Sequence, residues 1–202
     1  WQKGSFMYQP IKVFHSRRIG KAPNYFMPAD GNIISASENT TILGAAKVLG
    51  KTPSGINYGF IESLTDNEIG VLESEDGSRS EFLLEPRTNY FIGRIEAPFL
   101  NNASILGATF TDVRRAKGDN ASVGVFDWRL RFLENRFSFS GQAAFSDIAG
   151  SQGEASRLHL KYDNFKWWTM DLLSTYYDEG FSSNDLGFLR RSGVWSVRAG
   201  GS

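Results

Sequence analysis

The sequence predicts an all-β protein. The expected fold is an antiparallel up-and-down meander forming a transmembrane β-barrel, or part of one, of about 8–10 strands. Three observations predict it. Residues 121–146 alternate with period two. Ser122, Gly124, Phe126, Trp128, Leu130 and Phe132 share one face, and Val123, Val125, Asp127, Arg129 and Arg131 share the other. After the polar turn Glu134-Asn135-Arg136 the alternation resumes, with Phe137, Phe139, Gly141, Ala143 and Phe145 against Ser138, Ser140, Gln142, Ala144 and Ser146. Successive strand side chains point to opposite faces, so this stretch is a hairpin with one aromatic and one polar face. The second observation is the rhythm of the connections. Short ones near 52–55, 100–103, 133–136 and 163–165 alternate with longer ones near 67–80, 115–120, 147–153 and 178–185, as short turns and long loops alternate in outer-membrane barrels. The third is charge. The polar face carries Asp127, Arg129, Arg131, Arg157, His159, Lys161 and Asp163, which burial without water or partners would penalise severely.

The elements follow in order. Residues 10–20 read as a first strand of mixed facing, and 21–39, rich in Pro, Asn, Asp, Gly and Ser, as a long loop. Residues 40–51 read as a strand whose small residues and Lys47 suggest a crowded inward side. In 57–66, Tyr58, Phe60 and Leu64 share a face with Glu62 as the misfit, and an acidic connection runs from 67 to about 80. In 81–99, Phe91, Gly93, Ile95, Ala97 and Phe99 oppose Tyr90, Ile92, Arg94 and Glu96. The turn Leu100-Asn101-Asn102 leads to a strand over 104–114, and the opening hairpin follows. Residues 147–153 read as a Gly/Ser loop, 155–163 and 165–177 as strands joined at Asp163-Asn164, and 194–199 as the start of another strand.

Composition sets limits. Residues 1–202 read as a single β-barrel domain. Lys plus Arg and Asp plus Glu balance at 22 each, so no nucleic-acid footprint is present. With no cysteine there is no disulfide scaffold, thiolate metal site or Cys nucleophile. No apolar run approaches the ~20 residues of a membrane helix, a limit that does not bear on a barrel. The chain starts at Trp1 and ends soon after a strand begins, so it reads as a piece of a longer barrel.

Four stretches, HSRRIGKAP (15–23), TTILGAAKVLGKT (40–52), EPRTNYFIGR (85–94) and GFSSNDLGFLRR (180–191), resemble a family of bacterial outer-membrane β-barrel domains of unknown function. In that family the barrel usually follows an N-terminal carbohydrate-binding-like domain. The resemblance implies a Gram-negative outer-membrane location. It also implies a lipid-bilayer partner and, as further partners, carbohydrate and other envelope proteins. The sugar-binding-like domain is absent from this chain.

Ligand-binding candidates on the lumen wall are Arg17, Arg18, Asp127, Arg129, Arg131, Arg157, His159, Arg190 and Arg191. Arginine forks suit carboxylate, phosphate or sulfated-sugar oxygens. The plainer reading of the two Arg pairs is salt bridges to residues such as Asp185 and Glu62. No metal ligand set, cofactor or catalytic residue is assigned, and His15 and His159 alone make no metal signature. Paired carboxylates among Glu62, Glu96, Asp127 and Asp171 would serve a glycan-acting hydrolase, the first alternative, if two of them converged. A soluble β-sandwich binding module is the second, and it requires the aromatic face to be covered by protein.

Overall fold

The computed structural model describes residues 10–28, 32–100, 103–164 and 167–201. The main element is a nine-stranded antiparallel meander. Its strands are β2 (Ile42–Lys51), β3 (Asn57–Thr65), β6 (Thr88–Phe99), β7 (Ser104–Arg115), β8 (Ala121–Phe132), β9 (Phe137–Ile148), β10 (Ser151–Asp163), β11 (Thr169–Tyr177) and β12 (Val194–Gly201). They lie in the order β12-β11-β10-β9-β8-β7-β6-β3-β2. Among the described residues β2 and β12 do not pair, so the sheet is open. A second sheet joins β1 (Asn32–Ser35), β4 (Glu68–Glu73) and β5 (Arg79–Glu85) in the order β1-β4-β5.

Register fixes two faces. On the outer face one row runs Phe60, Gly93, Phe110, Gly124, Phe145, and a parallel row runs Leu106, Trp128, Gly141, Leu158, Ser174, Val197. Large rings lie beside glycines because strand neighbours must share space. A Cβ on Gly141 would come within 2.4 Å of the Trp128 ring, and one on Gly50 within 2.2 Å of the Tyr58 ring. From the Gly124 row to the Phe132 row the apolar band is eight residues deep on β8, about 27 Å at ~3.4 Å per residue. Beyond it, on the loop side, the same face turns polar with Glu62, Asp112, Ser122 and Asp147.

The core lies on the inner face, toward the long-loop end. Two non-strand segments cover it there. Ile11, Val13 and Phe181 pack on Val123, Val125, Ala144 and Ala155, and Leu186 packs on Tyr90, Ile92, Val113 and Ala121. The segments also hold each other: His15 N–H donates to the Leu186 carbonyl at 2.6 Å, Phe188 N–H to Lys12 at 2.9 Å, and Ser183 Oγ–H to Lys12 at 3.1 Å. Gly153 and Gly187 permit this docking. A Cβ on Gly153 would lie 2.1 Å from the Phe181 nitrogen, and one on Gly187 2.1 Å from the Lys12 carbonyl oxygen.

Several expectations are corrected. Residues 10–20 are not a strand. They form an extended segment and a 3-10 turn, Ser16–Arg18. Their alternation is real, but it buries Ile11 and Val13 against the sheet face instead of joining the ladder. The 67–80 connection contains β4 and part of β5, with Gly77 at φ +79° in the turn. The loop assigned to 147–153 is a two-residue hairpin turn, Ala149-Gly150, with φ of 53° and 84°. Positive φ at both central residues matches the twist of the flanking strands. β2 is not crowded but an edge strand, exposed along nearly its whole length. The expected turn at Asn101-Asn102, and the strand start at Phe165, lie outside the described residues.

The small sheet is fastened by carboxylates. Buried Glu85 accepts the Asn24 and Tyr25 N–H groups at 2.9 and 3.0 Å. Glu68 accepts Ser37 Oγ–H and Thr41 N–H, each at 2.6 Å. Burial works against the Glu68 charge, but these hydrogen bonds outweigh it and hold its carboxyl below the ordinary value.

Candidate functional site

Below the covered half, the inner face is polar and charged. On β8 the sequence of inward residues passes from Val123 and Val125 to Asp127, Arg129 and Arg131. Register extends this across the sheet in rows. One row runs Glu96, Gly107, Asp127, Gln142, Arg157, Thr175, Ser196, and the next runs Arg129, Ser140, His159, Leu173, Arg198. The alternation that makes the outer band apolar thus places these groups together.

At the centre of the face lies a tight charged cluster. The Arg94 guanidinium donates to Asp127 at 2.6 and 3.0 Å, to Glu96 at 3.0 Å and to Thr109 Oγ1 at 2.8 Å. Gly107 leaves room for it, since a Cβ there would meet Asp127 Oδ2 at 2.6 Å and Arg94 at 2.9 Å. Asp127 is therefore a partner of Arg94, which the sequence reading did not include among the site residues. The period-two pattern does put Arg94 and Asp127 on inward positions, but nothing in the sequence pairs them. The guanidinium also bridges Glu96 and Asp127, filling the space that a hydrolase would leave for a sugar between two carboxylates. Glu62 points the other way, on the outer face, where the Asn89 amide donates to it at 2.8 Å.

The remaining candidates separate into three places. Arg17 is exposed on the 3-10 turn, and Arg18 Nε–H donates to the Gly187 carbonyl at 3.0 Å, so Arg18 serves docking of the two covering segments. Arg129 and Arg131 are exposed on the inner face. His159 Nε2 lies 2.5 Å from Asp171 Oδ2, beside Lys161 and Asp163, which are 3.9 Å apart. Arg157, Arg190 and Arg191 line one cavity of about 590 Å³ between residues 188–191 and the inner faces of β10–β12. The expected bridges from the Arg pairs to Asp185 and Glu62 do not form: Asp185 pairs with Arg115. Among the described residues no group of three or more His, Asp or Glu stands close enough to hold a metal ion.

Such a fold and site define an all-β protein, an antiparallel meander with one apolar face and one charged face. No solved structure and no curated protein matches the chain. The chain belongs to the family described as Domain of unknown function (DUF5916), which it matches over residues 2–200.

Proposed function

We propose that this chain forms the membrane-embedded wall of a Gram-negative outer-membrane β-barrel and that its charged face lines a water-filled lumen that docks a glycan. One observation carries the reading: the outer face carries an apolar band, interrupted at its loop-side edge by Glu154 beside Phe145, that no described element covers. Phe126, Phe145, Leu158 and Trp195 are 49%, 62%, 40% and 74% exposed. The expected belt residues Trp128, Leu130, Phe139 and Leu160 share that face and are half-buried only by their neighbours. Exposed apolar patches on monomeric soluble proteins rarely exceed a few hundred Å², whereas a lipid-facing band about 25 Å tall is what a barrel requires. Lipid supplies no hydrogen bonds, so the open edges β2 and β12 would close against further strands of the full-length protein or against each other. A glycan suits the lumen because hydroxyl-rich ligands bind through the kind of polar and arginine groups that line it.

The test uses the longest natural chain from outer-membrane fractions, run on a detergent gel with and without boiling. A heat-dependent change in migration is expected. A chain that migrates identically either way, and that alkaline wash extracts, would refute the membrane reading.

A further inference from the structure

The cavity between residues 188–191 and β10–β12 is lined by Lys12, Arg157, Arg190, Arg191 and Arg198 and, among the described residues, by no carboxylate. Five other arginines are matched: Arg79 with Glu73, Arg87 with Asp66, Arg94 with Asp127, Arg114 with Asp112, Arg115 with Asp185. Among the described residues, none of the four cavity arginines makes an ion pair or a side-chain hydrogen bond, and the Lys12 ammonium has only the Phe188 ring, 6.0 Å away. The chain is neutral overall, at 22 cationic and 22 anionic side chains. Five cations around one hollow are therefore a local concentration, not a share of a general excess.

The segment that ends in Arg190 and Arg191 sharpens the point. From Phe181 to Leu189 its residues are occupied by the fold. Phe181, Ser183 and Leu186 are buried, Asp185 pairs with Arg115, Gly187 seats on Lys12, and Leu189 N–H donates to Asn184 at 2.7 Å. That packing delivers the two arginines to the cavity rim, where they do no structural work. Arg157 and Arg198 reach the same hollow from β10 and β12, in adjacent rows of the ladder. A volume of about 590 Å³ lies within the ~300–1,000 Å³ of small-ligand sites.

We infer that this cavity binds an oxyanion-bearing ligand with at least two negative charges, held by guanidinium forks. Planar N–H pairs match phosphate, sulfate and carboxylate oxygens bidentately. An anionic glycan and a small free phosphate offer the same chemistry. The inference deepens the glycan reading above and rests on it for access from water.

The experiment titrates inorganic pyrophosphate, dextran sulfate and neutral dextran into the full natural chain in zwitterionic detergent, by calorimetry. The proteins are wild type, the double variant Arg190→Gln/Arg191→Gln, the single variant Arg198→Gln, and the charge-matched control Arg79→Gln/Arg136→Gln, whose two arginines are exposed on the small sheet and in the β8–β9 turn. All four are first checked for β-structure by circular dichroism, so folding is read separately from binding and from the heat shift. Wild type and control are expected to bind at least one anion and not neutral dextran. The double variant should bind about tenfold more weakly or worse, as expected when hydrogen bonds to a charged group are lost. Arg198→Gln should weaken in the same direction. Binding of dextran sulfate alone assigns the site to an anionic glycan, and binding of pyrophosphate assigns it to small phosphates. Failure of both anions to bind folded wild type overturns the inference. So does equal binding by the double variant, or an equal loss in the control. None of these outcomes depends on whether the heat shift appears.

Discussion

Replacing Leu158 with arginine distinguishes a wall in lipid from a wall in water. Leu158 sits on β10 in the row of Trp128, Gly141 and Val197, midway down the apolar band between the Gly124 and Phe132 rows. If the band is centred in the bilayer, this is its midplane. Arginine there costs about 2–4 kcal/mol, and near the interface about 0–1. Phe145 lies in the Gly124 row, four residues nearer the loops, or about 14 Å along the strand. Leu158→Arg should thus lose about 30- to 700-fold in folding equilibrium at ~1.4 kcal/mol per tenfold, and Phe145→Arg much less. Leu158→Ala and Phe145→Ala set the loss due to packing alone. The assay is reversible urea unfolding from phospholipid vesicles, followed by tryptophan fluorescence. In water both positions are surface sites, where substitutions usually fall within about 0.5 kcal/mol. Arginine costs equal at the two positions after subtraction of the alanine values would refute the placement of this face in lipid.

Other perturbations probe the inner face and its cover. Arg94→Leu removes the cation shared by Asp127 and Glu96; a loss of about 3–5 kcal/mol is expected by denaturant titration, as when one partner of a buried pair is deleted. Gly153→Ala drives a Cβ into the backbone at Phe181, so residues 178–193 should become protease-sensitive and stability should drop by about 1–3 kcal/mol. Ala149→Gly relieves a residue at φ 53° and should raise the unfolding midpoint slightly, by about 1 kcal/mol of stability. Glu68 has a depressed carboxyl in the folded chain. Its contribution is fully present above the ordinary value of 4.5 and is lost as pH falls below it through the lower folded value. Glu68→Gln should flatten the acid limb of a stability–pH curve, and an unchanged limb would contradict the bonding to Ser37 and Thr41.

Much of the meander was legible because its pattern is local. Hairpin strands show their period in ten residues, and Phe126 against Asp127 announces one apolar and one charged face. Ala149-Gly150 was missed because Asp147, Ser151 and Gly153 look like loop, although the ladder runs through all three. The small sheet was missed because Glu68, Glu73 and Glu81 are poor strand formers. The cover on the inner face was beyond reach for a different reason. Ile11 N–H donates to Gln142 across 131 positions, and Ser183 to Lys12 across 171, and no periodicity encodes such distances. For the same reason Arg157, Arg190 and Arg191 were singled out by type, while the hollow that unites them with Lys12 and Arg198 was not visible.

That long span has a consequence for assembly. The seat of Ile11 and Val13 is built from β8–β10 together with Phe181, Ser183 and Leu186. Whatever the order in which hairpins zip, the earliest described part of the chain cannot settle until one of the latest exists. Closing a loop of that length costs entropy before any contact repays it, and contacts of high sequence separation form slowly. The sheet therefore precedes its cover, and during that interval the whole inner surface, arginines included, stands open to whatever is dissolved nearby.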